Sequence, residues 1–233
     1  LSPPKDKPID ILLVNGAECE PYLTADHRIM LEKPELVLLG TKAVMKALGV
    51  NNAYICIENN KPDAIETLKQ VVGNEEGIEV VSMIAKYPQG DEKRLINAVT
   101  GRVVPSGGLP MEVGCVVENV GTVATIGNVI KTGMPCVQRV VTVTGSAVEN
   151  PKNLYVRLGT LFKDCIEMCG GYKEEPGKII NGGPMMGIAQ YTDEVPVIKG
   201  TSGILVLNKK EANIPEHSNC ILCGKCVDAC PVN

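Results

Sequence analysis

The first half of the chain alternates short apolar runs with segments whose apolar residues recur at helical spacing. Residues 9–14 form an apolar run of the kind that suits a strand buried on both faces. The other predicted strands cover residues 53–58, 79–84 and 115–118, and the predicted helices cover residues 34–48, 62–72, 91–99 and, after a turn, 119–130. Such alternation at short intervals is typical of βαβ units, so we predict an α/β domain with a mostly parallel sheet covered by helices.

The pattern changes near residue 136. Residues 140–144 show the β-branched alternation of a strand. Three further strands are predicted over residues 154–158, 178–181 and 204–207, with one helix over residues 161–168. Strands around a single helix predict a small α+β module of the β-grasp type. The chain is therefore expected to divide into residues 1–135, residues 136–200 and residues 201–233.

The last segment contains a dense cysteine motif. Cys220, Cys223, Cys226 and Cys230-Pro231 follow the spacing C-x2-C-x2-C-x3-C-P of a bacterial ferredoxin half-site. In that arrangement the first three thiolates bind one 4Fe–4S cluster, and the fourth binds the other cluster of a two-cluster domain. Zinc or uncoordinated thiols are the alternative, although zinc sites rarely place four cysteines so close together.

A cluster bound by Cys220, Cys223 and Cys226 needs a fourth ligand from a second motif, and the chain reaches Asn233 without one. Its first residue is Leu1. We therefore expect the chain to be a piece of a longer protein, truncated at both ends, in which the motif is present without an intact cubane cluster.

Composition narrows the classes of function. The chain has one Phe, no Trp and a net charge of −4, which argues against nucleic-acid recognition by aromatic stacking or by a positive field. No apolar run has the length of a membrane span, so direct membrane insertion is not expected. Four of the ten cysteines lie in the metal motif and the others are scattered, which favours a reducing, cytosolic compartment over a disulfide framework.

Polar residues follow the first predicted strand, in the turn Asn15-Gly16-Ala17-Glu18-Cys19-Glu20-Pro21. The carboxyl end of a strand is where open α/β sheets bind ligands, so this turn is a candidate site. A second candidate is Gly90-Asp91-Glu92, at the start of the third helix. Capping and a favourable helix dipole explain these residues best, and a phosphate or cofactor site is the alternative.

The remaining cysteines are predicted to be packing residues. Cys56, Cys115 and Cys136 lie in or near apolar strands, where inert burial is expected. Cys165 and Cys169 are four residues apart on a predicted helix, and core packing is favoured over a shared metal. The pair Met185-Met186 is predicted to pack beside a glycine turn, with a position facing a cofactor as the alternative.

Several motifs together resemble one known family. Residues 15–28, 87–90, 105–110, 119–122 and 182–187 read NGAECEPYLTADHR, YPQG, PSGGLP, NVGT and GGPMMG. In order and spacing, and with the cysteine motif after them, they resemble the C subunit of the Rnf electron-transport complex over essentially the whole chain. That protein is similar to the flavin- and NADH-binding subunit of respiratory complex I. The resemblance implies a Rossmann-like FMN domain, a β-grasp domain of the SLBB type and the start of a ferredoxin-like cluster domain.

The resemblance also implies roles for single residues. Asn15, Glu18 and Cys19 match flavin-pocket positions, Glu20 matches an acid near the nicotinamide nucleotide, Gly90, Asp91 and Glu92 match the second flavin loop, and Asn119 and Thr122 match positions beside the flavin ribityl phosphate. The family's glycine-rich phosphate loop would lie before Leu1, and its second cysteine motif would follow Asn233. Retention of FMN, NADH or a cluster by this chain is therefore left open.

The implied function is electron transfer from NADH through FMN to two 4Fe–4S clusters and on to, or back from, ferredoxin. The cofactors carry this chemistry, so no side chain is expected to be a general acid or base. The expected setting is cytoplasmic, at the inner face of the cell membrane, and bound there through the other Rnf-type membrane subunits. Two alternatives remain: a soluble relative, such as a cobalamin reductase or the electron-transfer protein of amino-acid reductases, and a non-catalytic iron–sulfur electron-transfer adaptor.

Overall fold

Four parallel strands form the sheet of the first half of the chain. The computed structural model describes residue 4, residues 6–213 and residues 220–230. The strands are β1 (Ile11–Gly16), β2 (Asn52–Glu58), β3 (Ile78–Met83) and β4 (Cys115–Asn119), in the order β3-β2-β1-β4. All three pairings are parallel, as the alternation of strands and helices predicts.

Helices cover both faces of this sheet. They are α1 (Ala25–Glu32), α2 (Pro34–Leu48), α3 (Pro62–Val72), α4 (Glu92–Thr100) and α5 (Val120–Thr132), with a short 3-10 helix at Pro110–Val113. On one face Leu12 and Val14 pack in a core shared with α1, α2, α3 and α5. On the other face Leu13 packs with residues of β2 and α4. Burial of strand β1 on both faces is confirmed.

The structure also shows why two predicted helices begin and end where they do. Pro34 occupies the first turn of α2, and Gly49 ends that helix with a φ of 71°. Asp91 caps α4 by accepting a hydrogen bond from the Arg94 backbone N–H at 3.2 Å. Helix α1, of which Ala25, Ile29 and Met30 are buried, was not predicted, because only half of its residues are apolar and the side chain that caps it, Glu18, lies outside the helix.

A second, five-stranded sheet follows the first. Its strands are β5 (Gln138–Thr144), β6 (Lys152–Arg157), β7 (Pro176–Asn181), β8 (Ile188–Gln190) and β9 (Gly203–Asn208), in the order β6-β5-β9-β7-β8. Strand β9 pairs in parallel with β5 and antiparallel with β7. Helix α6 (Phe162–Glu167) packs on the sheet, and the one Phe of the chain, Phe162, is fully buried there. The mixed sheet with one helix agrees with the predicted α+β module.

The expected division after residue 200 is corrected by strand β9. This strand lies in the middle of the second sheet, where Ile204 is paired with Val143 on one side and with Asn181 on the other. Its residues 203–206 are buried. The second module therefore extends to Asn208, because its sheet is incomplete without the strand. Two short helices follow, α7 (Lys209–Ala212) and α8 (Lys225–Asp228).

Hydrogen bonds join the two sheets through the start of helix α1. The Thr24 backbone N–H donates to Thr142 Oγ1 at 3.1 Å, and Asn153 Nδ2 donates to Thr24 Oγ1 at 2.9 Å. Lys33 Nζ lies 3.7 Å from the centroid of the Tyr155 ring, a cation–π contact between the same two units. These contacts fix the second sheet beside helices α1 and α2. In the part of the chain that the structure describes, no helix has the length and apolar character of a membrane span.

Helices α2 and α5 approach each other closely at two glycines. A Cβ atom on Gly40 would lie 1.9 Å from the Val123 carbonyl oxygen, and one on Gly127 would lie 2.1 Å from the Leu36 carbonyl oxygen. Both distances are far inside van der Waals contact with rigid backbone, so only glycine permits this spacing of the two helix axes.

We predict that Gly127→Ala destabilises the protein, because the methyl group must push α2 away from α5. Overpacking of this kind costs about 1–3 kcal/mol or more. Urea unfolding of the two proteins measures the difference. Gly200→Ala is the control, since a Cβ atom there meets nothing within 4 Å, and its effect should stay within about 0.5 kcal/mol. Equal stability of the two variants would contradict the proposed packing.

Candidate functional site

The candidate site lies at the carboxyl ends of β1 and β4. The chain runs from β1 outward to β2 and β3 on one side of the sheet and then returns to β4 on the other side. Strand order therefore reverses between β1 and β4, which is where open α/β sheets form a ligand crevice. Asn15 and Asn119 are paired in register at this edge, one at the end of each strand.

Asn15 ties the turn after β1 to the loop before α4. Its Nδ2 donates to the Gly90 carbonyl oxygen at 2.8 Å, and its Oδ1 accepts from the Ala17 backbone N–H at 3.2 Å. A Cβ atom on Gly90 would lie 3.1 Å from Cys19 Sγ. The structure thus brings Asn15, Cys19 and Gly90 together, as their assignment to one pocket requires.

Glu18 is a strained residue whose carboxylate caps helix α1. Its φ is 49°, a left-handed conformation that is uncommon outside glycine. The two carboxylate oxygens accept hydrogen bonds from the backbone N–H groups of Asp26 at 2.8 Å and His27 at 3.0 Å. Burial, followed by the nearby Asp26 carboxylate, raises the pKa of Glu18 to about 7, against the opposing effects of these hydrogen bonds and of Lys61.

Asn119 joins the start of helix α5 to helix α1. Its Oδ1 caps α5 by accepting from the backbone N–H groups of Gly121 at 2.8 Å and Thr122 at 3.3 Å, and its Nδ2 donates to Asp26 Oδ2 at 2.7 Å. Burial raises the pKa of Asp26, while this hydrogen bond and the charge of Arg139 act in the opposite direction. Sequence reasoning missed both Asp26 and Arg139. Arg139 lies on β5 of the second sheet, so its approach to Asp26 depends on how the two sheets meet.

Lys61 is a further residue that sequence reasoning missed. It directly precedes Pro62 at the start of α3 and is only 8% exposed. Its Nζ donates to the Ala17 carbonyl oxygen at 2.7 Å and to Glu58 Oε2 at 3.1 Å. The only local signal is its position after the carboxyl end of β2, and a lysine before a helix start is ordinarily a solvent-exposed residue.

Glu20 connects the candidate turn to the second sheet. Its carboxylate accepts hydrogen bonds from the backbone N–H groups of Met185 at 3.1 Å and Met186 at 2.7 Å. A Cβ atom on Gly183 would lie 2.2 Å from Glu20 Oε2, so the glycine lets the loop approach. The expected position of Glu20 near a nicotinamide nucleotide stays a prediction. The predicted packing of Met185 and Met186 is wrong, because these side chains are 54% and 76% exposed.

Asp91 and Glu92 are exposed at the start of helix α4. Asp91 is the helix cap, and Glu92 lies in the first turn, where a negative charge interacts favourably with the helix dipole. The capping role that the sequence favoured is confirmed by the hydrogen bond of Asp91. Their expected place beside a flavin stays a prediction.

A cavity of about 430 Å³ lies along helix α5, between the two sheets. Asn119 and Thr122 line one part of it, and three cationic side chains, Lys33, Arg139 and Lys199, also contribute to its lining. The three cations and the positive end of the α5 helix dipole suit an anionic group such as a phosphate. Burial lowers the pKa of Arg139, against the opposing effect of Asp26.

The four motif cysteines are all exposed at the end of the described chain. Leu222 and Gly224 both have positive φ values, 56° and 76°, so the loop turns sharply between Cys220 and helix α8. The Leu222 N–H donates to Cys220 Sγ at 3.4 Å. Within the described residues, no group of three or more His, Cys, Asp or Glu side chains is close enough together to hold a metal ion. The donor set itself, four thiols in the short segment 220–230, fits an iron–sulfur cluster.

The other cysteines are mostly core residues. Cys56 and Cys115 are buried beside β1, and Cys165 and Cys169 are buried in the core of the second module. Burial raises the pKa of Cys56 to about 12 and that of Cys165 to about 11, so both are inert thiols at neutral pH. Burial is confirmed for these four, whereas Cys136 is only half-buried.

Family models match the chain in three consecutive parts. The Nuo51 FMN-binding domain matches residues 1–128, the SLBB domain residues 140–189 and the 4Fe-4S binding domain residues 215–233. The first match contains the turn after β1 and the start of α5, the second lies within the five-stranded sheet, and the third contains the cysteine motif. The expected fold class is confirmed by this order together with the two sheets.

Curated relatives match the whole chain. The C subunit of the proton-translocating ferredoxin:NAD(+) oxidoreductase complex of Clostridium ljungdahlii is 54% identical over 233 residues, which are 100% of this chain and 51% of the relative. The C subunit of the Na(+)-translocating ferredoxin:NAD(+) oxidoreductase complex of Acetobacterium woodii is 52% identical over 100% of this chain and 53% of the relative. The predicted resemblance is confirmed, and the chain spans about half the length of these relatives.

A solved structure shares the fold. An NAD+-reducing [NiFe]-hydrogenase in the H2-reduced state superposes with a TM-score of 0.71 at 18% identity, over 87% of this chain and 41% of that chain. At this identity the similarity concerns the fold alone.

We predict that Glu18 makes the stability of the protein fall between pH 4.5 and about 7. Its pKa is raised from 4.5 to about 7 in the folded state, so the folded protein binds the proton more tightly than the unfolded chain in this window. Ionisation therefore costs stability as pH rises. Urea unfolding of wild type and Glu18→Gln at several pH values should give a difference, wild type minus variant, that decreases across the window.

Glu66→Gln replaces an exposed carboxylate on α3, away from the turn, and controls for the loss of any one carboxylate. A wild-type minus Glu18→Gln difference that is flat or rises with pH would contradict the assignment.

Proposed function

Because the chain belongs to the family of proteins with the Nuo51 FMN-binding domain, we propose that it is the flavin- and cluster-bearing part of the NADH-oxidising C subunit of an Rnf-type complex. The observation that carries the proposal is the order of its parts. An FMN-binding domain, an SLBB domain and a 4Fe-4S binding domain follow one another in one chain, and proteins named as parts of ferredoxin:NAD(+) oxidoreductase complexes match that chain from end to end.

The described residues fit a flavin mononucleotide. A glycine, Gly90, lets the loop before α4 approach the turn after β1 closely, and the cationic cavity beside α5 suits a phosphate. We propose that Asn15, Glu18, Cys19 and Gly90 shape the part of the pocket at the end of β1. Asn119 and Thr122, at the start of helix α5, would then lie beside the ribityl phosphate.

Bound FMN accepts a hydride and releases electrons singly, and the protein supplies geometry and electrostatics. The side chains need not exchange protons with the substrate, and no general acid or base is proposed. Glu18 and Asn119 contribute by fixing helices α1 and α5 relative to the turn. Asp91 and Glu92 keep negative charge at the rim of the pocket, and Glu20 holds the turn to the loop of residues 182–187.

The cysteine motif would carry electrons away from the flavin. We propose that Cys220, Cys223 and Cys226 bind one 4Fe–4S cluster and that Cys230 binds a second, each completed by ligands of the longer protein. Ferredoxin and the other subunits of an Rnf-type complex are the proposed partners. Through those subunits the protein would lie in the cytoplasm at the inner face of the membrane.

We predict that the intact protein, purified without oxygen, shows flavin and iron–sulfur absorption and that NADH bleaches both. The reason is that the two cofactors are connected within one chain. Absorption spectra recorded during an NADH titration, together with EPR of the reduced clusters, make the measurement. Protein with clusters and no flavin would support the electron-transfer adaptor instead, and protein without any chromophore would contradict both functions.

We predict that Cys223→Ser abolishes the EPR signal of one cluster and leaves flavin reduction by NADH intact. A serine oxygen is a poor substitute for thiolate at an iron–sulfur site. Cys169→Ser is the matched control, because that cysteine is buried in the second module, and it should retain the full iron content. Loss of iron in both variants, or in neither, would contradict the assignment of the motif.

A further inference from the structure

Lys61 is a buried cation with a complete set of acceptors. Its Nζ lies 2.7 Å from the Ala17 carbonyl oxygen, 3.1 Å from Glu58 Oε2 and 3.2 Å from Asn60 Oδ1. An ammonium group has three N–H donors, so these three acceptors satisfy it. Burying an ammonium group without such partners would cost stability, and these three acceptors compensate for its burial.

The contact with Ala17 is not needed to compensate the charge of Lys61. Glu58 already does so, since the side chains of Lys61 and Glu58 are only 10% and 4% exposed and form an ion pair. Glu58 ends strand β2 and Lys61 precedes helix α3, so this pair is local. The partner Ala17, by contrast, is 44 residues away along the chain and belongs to the turn of the candidate site. Lys61 therefore links that turn to the next strand of the sheet.

This link fixes the orientation of one peptide group. The peptide between Ala17 and Glu18 is trans, so a carbonyl directed at Lys61 points the Glu18 N–H to the opposite side. Among the described residues, no backbone acceptor receives that N–H. The link therefore sets the direction of the Glu18 N–H as well as that of the Ala17 carbonyl.

The same link supports a strained residue. Glu18 has a φ of 49°, and strained non-glycine residues persist only where their surroundings hold them. Helix α1 restrains the Glu18 side chain through two backbone N–H groups. Lys61 restrains the backbone through the carbonyl of the preceding residue, Ala17. The two restraints come from different elements and together fix the turn.

We propose that Lys61 is a positioning residue of the flavin site, whose buried ammonium orients the Ala17–Glu18 peptide and so sets the turn that carries Glu18, Cys19 and Glu20. This inference rests on the proposed function, and it concerns a lysine outside the pocket itself. Lys61 would act through the turn.

The test compares FMN binding and hydrogen exchange in variants of the intact protein from which FMN has been removed. Lys61→Met removes the donors and keeps the length of the stem. At metal sites, loss of a positioning partner outside the ligand shell costs about 10- to 100-fold in affinity, and we expect a rise of that order in the Kd for FMN. Amide exchange in the peptide spanning residues 15–22 should be faster in the FMN-free variant.

Two variants separate positioning from simple stability. Lys61→Arg keeps the charge and the donors, and it should restore most of the affinity that Lys61→Met loses. Lys42→Met is the matched control, because Lys42 forms an exposed ion pair with Glu75 on the surface of α2, and it should change neither measurement. If Lys61→Met does not fold, Glu58→Gln combined with Lys61→Met leaves no orphaned charge and is measured instead.

Wild-type FMN affinity and exchange in a folded Lys61→Met or in the double variant would overturn the inference, because the lysine would then serve only the ion pair. Weaker FMN binding without any change in exchange of residues 15–22 would also overturn it. Wild-type protein that binds no FMN would overturn the proposed function as well, and the wild-type titration identifies that case separately.

Discussion

The fold of the candidate site depends on burying the Glu18 carboxylate against the start of helix α1. Removing a carboxylate from water is costly, and two backbone N–H groups of the helix offset part of that cost. The first turn of α1 has no side-chain cap from its own preceding residue, Thr24, so Glu18 fulfils that role from outside the helix. The turn after β1 and helix α1 therefore stabilise each other.

Further restraints are built on this turn. Lys61 holds its backbone from the side of β2, Asn15 connects it with the loop before α4, and Glu20 connects it with the loop of residues 182–187 in the second module. Each restraint uses a polar group at the carboxyl edge of the parallel sheet. The turn after β1 is therefore held by contacts with helix α1, with Lys61 before α3, with the loop before α4 and with the second module.

The two modules are also joined electrostatically. Asp26 on α1 and Arg139 on β5 interact across the boundary between the two modules. Burial disfavours the charged form of both side chains. Asn119 adds a hydrogen bond from the end of β4 to the same carboxylate. The cationic cavity beside α5 lies at this junction, and its lining includes Arg139 and Lys199 from the second module.

The sequence alone determined the features that depend on local pattern. Apolar runs predicted the strands of the parallel sheet, proline and glycine marked the ends of α2, and cysteine spacing indicated the cluster motif. The order of short motifs was sufficient to recognise the family and to collect Asn15, Glu18, Gly90 and Asn119 as candidates. These signals are readable because periodicity and spacing report burial and chemistry within a few residues.

Only the tertiary structure decided which distant groups meet. The contact of Lys61 with Ala17 spans 44 residues and that of Glu20 with Met185 spans 165, and neither leaves a trace in local composition. Strand β9 could be predicted as a strand, but its place between β5 and β7 is set by hydrogen bonds to both. Helix α1 escaped prediction because its cap is supplied from outside the helix. Non-local hydrogen bonds and burial of charge arise from the fold as a whole, and for that reason they could not be derived from the pattern of the chain.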